Sequence, residues 1–490
     1  MQRLFRLIFQ EDGGTDGSRL VSRRILFLIL LSGLLLSSCA SFAPAARQAR
    51  DEVTLPAAYS IENTLETPAQ RWWEKFEDSQ LNALITEALS GNQSLASYWA
   101  RLEKAKAQAR KAGAELRPSL SGEAGASHSR RRTGDGSNSS TAENNNFFIG
   151  LSTSYEVDLW GRVKATRDAA ELEAEASRED FNAAAMTVAA EIAERWVAIM
   201  SQRLQRELLE QQLSTNRIYL ELVELRFRNS LASALDVLQQ KQLLERIKAQ
   251  MPLVDMQTRR LENQLALLLG RMPDKAPQIE RQKLPALAGL PAAGLPVQLL
   301  ENRPDIVAAL RRLEVSDQSL AAAQADRLPA LRLTGSAAYD SSELEDLFDN
   351  WLVNLGAALT APVIDGGRRR AEVDISRAAV EQQLALYRQL VLTAVSEVEN
   401  AMISEIKIRE NIEALEKQLQ AARNALAEAR SRYINGLNDY LPVLTQLLSV
   451  QGLESDLIRR NEELLVARVS LYRAIGGSWV DDLAPPGRDN

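Results

Sequence analysis

Residues 226–231 have the sequence Arg-Phe-Arg-Asn-Ser-Leu, and residues 432–437 repeat it 206 positions later as Arg-Tyr-Ile-Asn-Gly-Leu. Further pairs share this offset: Trp160-Gly161-Arg162 with Gly366-Gly367-Arg368, and Leu269-Gly270 with Ile475-Gly476. A period near 200 residues indicates a duplicated half of a protein, because solenoid repeats have periods of about 20 to 50 residues. We therefore predict a first repeat at residues 39–275, a second repeat at residues 276–483 and a C-terminal tail at residues 484–490.

Two segments in each repeat change from helical periodicity to an alternation with period two. In residues 147–159 the apolar side chains stand at odd positions: Phe147, Ile149, Leu151, Tyr155, Val157 and Leu159. In the second repeat the apolar set is Trp351, Val353, Leu355, Leu359 and Val363. Such alternation over about ten residues is typical of a transmembrane β-strand, although a half-buried strand of a soluble protein shows the same pattern. We predict β-hairpins at residues 119–160 and 330–365, with polar loops at residues 129–146 and 340–350.

These four strands cannot close a barrel by themselves, because bacterial outer-membrane barrels have at least eight strands. An open strand edge in lipid leaves backbone amide and carbonyl groups without hydrogen-bond partners, at a cost of several kcal/mol each. The membrane interpretation therefore requires other copies of the chain to complete the sheet. Three copies would supply twelve strands around a lumen lined by the polar faces, although the number three does not follow from this argument.

Residues 161–228 contain no proline and no glycine after Gly161, which predicts one helix of about 100 Å. Apolar residues recur along it at spacings of three and four: Phe181, Ala185, Val188, Ile192, Trp196 and Ile199. The equivalent set in the second repeat is Tyr387, Val391, Ala394, Val398 and Met402, and Glu405 interrupts the series. We predict long helical hairpins at residues 161–270 and 366–477 that pack on other helices in a bundle, fibre or tube. The predicted fold class is mainly α with a small β part.

The composition excludes several classes of enzyme and binding protein. A single histidine, His128, and a single cysteine, Cys39, exclude disulfide frameworks, multi-cysteine or multi-histidine zinc sites and paired redox cysteines within one chain. The net charge of -7 and the lack of a basic stripe argue against a nucleic-acid partner. No phosphate-binding glycine motif or zinc-protease motif is present. We therefore expect a protein that is not an enzyme and that has no cofactor, no catalytic residue and no metal site.

The first forty residues have the features of a secretory signal. Arg23-Arg24 precede an apolar run at residues 25–36 that is too short to span a membrane comfortably, and the run ends in Leu36-Ser37-Ser38-Cys39. This ending resembles the bacterial lipobox, in which the cysteine is acylated and becomes the first residue. We predict a lipoprotein signal peptide at residues 1–38 and lipidation at Cys39, with a retained membrane anchor as the alternative. Because Ala40 is not aspartate, we expect sorting to the outer membrane.

Several motifs follow one another in an order that resembles a known family. They are Arg71-Trp72-Trp73-Glu74-Lys75-Phe76-Glu77-Asp78-Ser79-Gln80-Leu81, Tyr155-Glu156-Val157-Asp158-Leu159-Trp160-Gly161-Arg162, Asn302-Arg303-Pro304-Asp305-Ile306, Pro329-Ala330-Leu331-Arg332-Leu333-Thr334-Gly335-Ser336, Pro362-Val363-Ile364-Asp365-Gly366-Gly367-Arg368, Glu397-Val398-Glu399-Asn400-Ala401 and Gly476-Gly477-Ser478-Trp479. With the duplication, they make the chain similar to the outer membrane efflux factors, the TolC family, and specifically to the lipoprotein (NodT-type) branch that serves tripartite drug exporters. The resemblance covers about residues 39–483, and Ser79 stands where proline is usual.

The resemblance implies a homotrimer that forms a twelve-stranded transmembrane β-barrel, surrounded by outer membrane lipid, and a twelve-helix tube in the periplasm. It implies a passive efflux channel, associated with antibiotic resistance, that opens when a periplasmic adaptor (membrane fusion) protein engages the turns of the helical hairpins. An inner-membrane pump of the resistance-nodulation-division type would drive export. The residues expected to contact the adaptor are Arg226, Phe227, Asn229, Ser230, Asp236, Arg432, Tyr433, Asn435, Gly436 and Leu437.

The two turns need a helix breaker or a residue that tolerates a positive backbone φ. We expect Asn229 and Asn435-Gly436 to supply it, and Ser230 takes the place of the glycine that is usual in the family. Three charged residues near the turns are expected to form inter-helix ion pairs that hold the tip of the tube shut: Arg226, Asp236 and Arg432.

Asp439 follows the second turn directly. In a trimer it would form a ring of three carboxylates, which favours cations and resists tight closure. We therefore assign Asp439 as the gate or selectivity residue, with a solvated carboxylate of no special role as the alternative.

The main alternative for the whole chain is a structural or adhesive outer-membrane lipoprotein whose long helices form a solid coiled-coil stalk. It accounts for the lipobox and the apolar stripes but not for two pairs of amphipathic strands between the helices. Trp72, Trp73 and Phe76 are expected to pack a short N-terminal helix onto the long helices. The sequence does not indicate the exported substrate or the particular pump.

Overall fold

The computed structural model describes residues 42–45, 47–61, 71–134, 140–281, 283–481 and 483–487. The predicted signal peptide at residues 1–38 and the predicted lipidation site Cys39 lie outside the described residues.

The helices and strands follow the same order in the two repeats. The first repeat contains α1 (Ser79–Gly91), α2 (Gln93–Ala114), β1 (Ser119–Thr133), β2 (Ser140–Val157), α3 (Arg162–Arg228) and α4 (Ala234–Leu268). The second repeat contains α5 (Leu299–Asn302), α6 (Pro304–Ala325), β3 (Ala330–Ser341), β4 (Trp351–Thr360), α7 (Arg368–Ile434) and α8 (Leu441–Ile475). Helices α3 and α7 are each 67 residues long, and α4 and α8 are each 35 residues long. The predicted fold class, mainly α with a small β part, is confirmed.

The chain divides into two compact units. One unit contains residues 111–168 and 317–377, and it holds all four strands. The other contains residues 46–110, 169–316 and 378–490, and it holds most of the helical residues. Among the described residues, no helix combines the length and the hydropathy that a membrane crossing requires.

The four strands form one antiparallel sheet in the order β1-β2-β3-β4. Pairing of β1 with β2 continues to Thr133 opposite Ser140, so the predicted polar loop at residues 129–146 is wrong for most of its length. Polar side chains are compatible with this pairing because a strand needs backbone partners, and exposed polar side chains can bind one another across it. Arg130 and Glu143 form such a cross-strand ion pair at 3.1 Å.

The strand registers place most of the large apolar side chains on a single face of the sheet, with Phe148 and Leu352 on the other. Ile149 lies opposite Tyr339, which in turn lies opposite Trp351. Residues that pair across strands share a face, and the odd-numbered positions of β2, β3 and β4 are paired throughout. This face is exposed in one copy of the chain, and Leu355 at its edge is 89% accessible to solvent.

The predicted apolar stripe of the first long helix is the core of the helical unit. All six predicted residues, Phe181, Ala185, Val188, Ile192, Trp196 and Ile199, are buried, as are Tyr387, Val391, Ala394, Val398 and Met402 from the second repeat. The predicted packing of the N-terminal aromatic residues is also confirmed. Trp72 stacks on Tyr472 with ring centroids 5.3 Å apart, and Phe76 contacts the ring of Trp196 edge-on.

Glu405, which interrupts the apolar series, is fully buried and forms an ion pair. Arg468 Nε donates to Glu405 Oε2 at 2.8 Å, and the same guanidinium donates to the carbonyl oxygens of Ala288 and Gly289 at 3.1 and 2.8 Å. A buried carboxylate needs such compensation because desolvation of a charge is costly. The pair therefore fastens the segment that joins the two repeats to α7 and α8.

The second helix of each long hairpin is followed by one glycine with a positive φ, and the two glycines are at equivalent positions of the repeats. Gly270 and Gly476 have φ values of +72° and +84°, and a Cβ on either one would overlap the carbonyl oxygen of Gly91 or Asn302, respectively. Only glycine combines this φ with such a close approach of two backbones. The contact between Gly476 and Asn302 brings the motifs at those two positions together.

Arg303 joins two further family motifs at this contact. The buried guanidinium of Arg303 donates to Glu397 Oε2 at 2.6 Å, to Asp305 Oδ2 at 2.7 Å and to the carbonyl oxygen of Ala474 at 3.2 Å. The motifs Asn302-Arg303-Pro304-Asp305 and Glu397-Val398-Glu399 therefore hold the end of α8 in place.

Candidate functional site

The two turns that reverse the long helices have the same hydrogen-bond pattern. Leu231 N donates to Arg226 O at 2.8 Å in the first turn, and Leu437 N donates to Arg432 O at 2.9 Å in the second. This bond spans five residues and, with a left-handed residue between, is the Schellman ending of a helix. Both turns lie within the helical unit, and we call their exposed surface the hairpin tip, defined by residues 225–238 and 432–441.

In the two turns, the residues with a positive backbone φ are Ser230, at +59°, and Gly436, at +73°. The expectation that Asn229 supplies the positive φ of the first turn is therefore wrong, and in the second turn Gly436 does so rather than Asn435. The asparagines have a different role, because Asn229 Nδ2 donates to Leu225 O at 2.8 Å and Asn435 Nδ2 donates to Ser431 O at 2.9 Å. Each side chain is a second donor to a carbonyl oxygen that also accepts the backbone N–H of the same asparagine, at 3.2 Å for Asn229 and 3.1 Å for Asn435.

The expected inter-helix ion pairs of Arg226, Asp236 and Arg432 do not form within one protomer. The carboxylate of Asp236 accepts from Ser233 N at 2.8 Å and caps the start of α4, and Arg432 pairs with Glu428 of its own helix at 3.0 Å. The carboxylate of Asp236 therefore serves as part of a capping box within its own hairpin turn.

Arg226 does link α3 to α7, but no acidic side chain among the described residues pairs with it. Its guanidinium carbon lies 4.5 Å from the centre of the Tyr433 ring, and its Nη1 donates to Ile434 O at 3.0 Å. A planar guanidinium stacks well on an aromatic face. The ends of the two long helices are therefore joined by a cation–π contact and one hydrogen bond.

A buried chain of polar side chains lies behind the tip, and the sequence did not indicate it. Tyr440 Oη donates to Gln240 Oε1 at 2.7 Å, and Gln240 Nε2 donates to Asn216 Oδ1 at 3.0 Å. All three side chains are fully buried, and they come from the residue directly before α8, from α4 and from α3. Burial raises the pKa of Tyr440 above its ordinary value, so its hydroxyl remains a hydrogen-bond donor at physiological pH.

Apolar side chains at the hairpin tip are exposed in both turns. Phe227 is 46% accessible, Leu231 is 62% accessible and Leu437 is 72% accessible. Three large apolar side chains of the two turns are therefore accessible at the hairpin tip. Among the described residues, no group of three or more histidine, cysteine, aspartate or glutamate side chains could hold a metal ion.

The turn geometry predicts opposite effects for two reciprocal substitutions. A non-glycine residue in the left-handed region costs about 1–2 kcal/mol, so Ser230→Gly should stabilise the first turn by about 1 kcal/mol. The backbone amide of Leu231 should then exchange with deuterium about fivefold more slowly. Gly436→Ser should speed exchange of the Leu437 amide by a similar factor.

Asn229→Gly is the matched control, because Asn229 has a negative φ and glycine there should accelerate exchange. Slower exchange in Asn229→Gly together with no change in Ser230→Gly would contradict the assigned geometry.

The sequence and the fold both match known outer-membrane proteins. The family model for outer membrane efflux proteins matches residues 84–271 and 295–477. The pyoverdine export outer membrane protein OpmQ of Pseudomonas aeruginosa is 33% identical over 419 residues, which cover 84% of this chain and 88% of OpmQ. The cation efflux system protein CusC of Escherichia coli O6:H1 is 28% identical over 411 residues, covering 83% of this chain and 88% of CusC.

The solved structure of the outer-membrane channel OprN superposes with a TM-score of 0.83 at 26% identity, over 90% of this chain and 100% of OprN. These similarities confirm the predicted family, the predicted outer-membrane location and, since the family consists of channels, the expectation that the protein is not an enzyme. The chain belongs to the outer membrane efflux protein family.

Proposed function

We propose that this protein is the outer membrane channel of a tripartite efflux system. In this proposal three copies form a twelve-stranded β-barrel and a periplasmic tube of twelve long helices, four from each copy. The channel is a passive, water-filled conduit anchored through Cys39. A periplasmic adaptor opens it, and an inner-membrane pump of the resistance-nodulation-division type supplies the energy.

The observation that carries the proposal is the sheet of four strands with one apolar face. The outer edges of β1 and β4 have no strand beside them in the described part of one copy. Backbone groups along such an edge cannot remain unpaired in hydrocarbon, because each would cost several kcal/mol. Pairing β4 of one copy with β1 of the next removes both edges, and three copies give a closed ring of twelve strands.

The opposite face of the sheet has the chemistry of a water-filled lumen. Its side chains alternate with the apolar set, and hydroxyl and amide groups are the commonest among them, although Phe148 and Leu352 also lie on this face. The central polar ones are Ser121, Ser152, Ser154, Thr334, Ser336 and Asn354. Barrels with a polar interior and an apolar exterior enclose aqueous channels in the outer membrane.

The exposed apolar side chains at the hairpin tip support a role in binding the adaptor. Phe227 and Leu437 remain exposed although the residues four positions before them, Val223 and Tyr433, are buried. The tip residues predicted for this contact, from Arg226 to Asp236 and from Arg432 to Leu437, include both turns and their capping groups.

Replacing Phe227 and Leu437 by serine should weaken adaptor binding at least tenfold, because truncation of apolar anchors at the centre of an interface typically costs 2 kcal/mol or more. The adaptor is first identified as the periplasmic protein that cross-links to the wild-type tip. Its affinity for purified channel variants is then measured by biolayer interferometry.

Leu267→Ser is the control, because Leu267 is as exposed as Leu437 but lies at the other end of α4. Equal adaptor affinities for the wild type and the Phe227→Ser, Leu437→Ser variant would count against the assigned contact.

The gate assignment of Asp439 rests on its position and exposure. Asp439 is exposed directly before the buried Tyr440, and it takes part in no ion pair among the described side chains. In a trimer three such carboxylates would surround the axis at one level. Like charges at close range resist approach, and a carboxylate ring attracts cations.

Asp439→Ala should lower the cation selectivity of single channels, measured as the reversal potential in a potassium chloride gradient across a planar bilayer. Asp439→Asn should have the same effect, because it removes the charge and keeps the size, whereas Asp439→Glu should retain the selectivity. An unchanged reversal potential in Asp439→Ala would remove the gate assignment.

The cargo is not part of the proposal. One relative is named for pyoverdine export and another for cation efflux, so membership of the family does not select one substrate class.

A further inference from the structure

The hairpin ends of the sheet carry charges of opposite sign. Strand β1 ends in Arg130, Arg131 and Arg132. The loop between β3 and β4, residues 342–350, carries four acidic residues and no basic one: Glu343, Glu345, Asp346 and Asp349. All seven side chains are exposed. We call these two groups the arginine end and the acidic loop.

Both groups lie beyond the same boundary of the apolar face. On the apolar face of β1 and β2, the last apolar pair is Ala126 with Phe147. The next pair on that face, His128 with Asn145, is polar. On β4 the apolar series begins at Trp351, directly after the acidic loop. The apolar residues of all copies must occupy one hydrocarbon layer, so Ala126 of one copy and Trp351 of the next lie near the same level.

The strand directions place the two groups on the same side of that level. Strands β1 and β3 run toward the hairpin ends, and Phe147 pairs with Ser341, the last residue of β3. Strand β1 continues seven residues past Ala126 to Thr133, which is roughly 23 Å at 3.3 Å per residue. The arginine end therefore projects beside the region that an adjacent acidic loop would occupy.

Within one copy, strand β2 separates the arginine end from the acidic loop. Arg130 pairs with Glu143 of β2, whereas Arg131 and Arg132 form no ion pair among the described residues. The four acids of the loop likewise form no ion pair in the part of the chain that the structure describes. Because β1 and β4 are the two edges of the sheet, ring closure brings the arginine end of one copy next to the acidic loop of its neighbour.

We propose that Arg131 and Arg132 of each copy bind the acidic loop of the adjacent copy and that these contacts stabilise the closed ring. The partner is a second copy of this chain, and the inference rests on the trimeric barrel proposed above. Opposite charges that face each other across an interface also fix its register and disfavour wrong pairings. The contacts would thus specify β1 against β4 as the edge that closes the ring.

A charge-reversal cycle tests the contact. Arg131→Glu with Arg132→Glu forms one variant, Glu345→Lys with Asp346→Lys forms the second, and the third combines all four changes. Arg130 is left in place so that its pair with Glu143 persists. The oligomer is purified in a neutral detergent, and sodium dodecyl sulfate is then added. The measured quantity is the rate at which the oligomer dissociates, followed by gel mobility.

Each double variant should dissociate at least tenfold faster than the wild type, and the fourfold variant should return to within about threefold of it. Recovery requires that the reversed groups face each other, because two unrelated defects would add. The wild-type rate should also rise with salt, since exposed charges are screened.

Double variants that dissociate at the wild-type rate would overturn the proposal, and so would a fourfold variant no better than the worse double variant. The assay is repeated with phosphate-bearing lipopolysaccharide added to the detergent. A loss confined to Arg131→Glu, Arg132→Glu and seen only with the added lipopolysaccharide would assign these arginines to lipid and also overturn the proposal. Wild-type protein that is monomeric by native mass spectrometry would instead contradict the proposed trimer, before any variant is compared.

Discussion

Backbone amide and carbonyl groups along the outer edges of β1 and β4 have no strand beside them in the described part of a single copy. The apolar face of the same sheet, with Tyr339, Trp351 and Leu355 exposed, is suited to hydrocarbon and not to water. These two facts conflict in a monomer, because hydrocarbon does not tolerate an open sheet edge. Assembly of several copies would resolve the conflict, with the polar face enclosing a lumen. The proposed conduit function, the proposed oligomer and the proposed contact between adjacent hairpins all depend on this constraint.

The helical unit is organised by the duplication. Helices α3 and α7 have the same length, and their turns end in the same hydrogen-bond pattern, with Ser230 and Gly436 in the left-handed region. Behind these turns a buried hydrogen-bond chain through Tyr440, Gln240 and Asn216 links three helices. The surface of the turns keeps apolar side chains exposed. A rigid interior and an apolar, exposed surface suit a tip that another protein recognises.

Much of this architecture could be predicted from the sequence because it depends on local periodicity. The spacing of Phe181 and Trp196 located a buried stripe, and the alternation around Leu151 located a strand. Features that depend on distant partners could not be predicted. Glu405 looked like a break in a stripe because its partner, Arg468, lies 63 residues away and is buried with it. The end of β1 was assigned to a loop because polarity was taken as a loop signal, although cross-strand pairing accepts polar side chains.

At the hairpin tip, too, the sequence predicted the local features and missed the ones that depend on detailed geometry. The positions of both turns were predicted, yet the residue with positive φ in the first turn is Ser230 and not Asn229. Which residue takes the positive φ depends on where the last helical hydrogen bond forms. Asp236 was expected to pair with another helix, but the neighbouring Ser233 completes a capping box with it.

Electron cryomicroscopy of the purified full-length protein in lipid nanodiscs tests the central claim most directly. We predict a hollow particle with threefold symmetry in which β4 of each copy pairs with β1 of the next, giving twelve strands. A monomer, or a solid helical rod without a lumen, would contradict it.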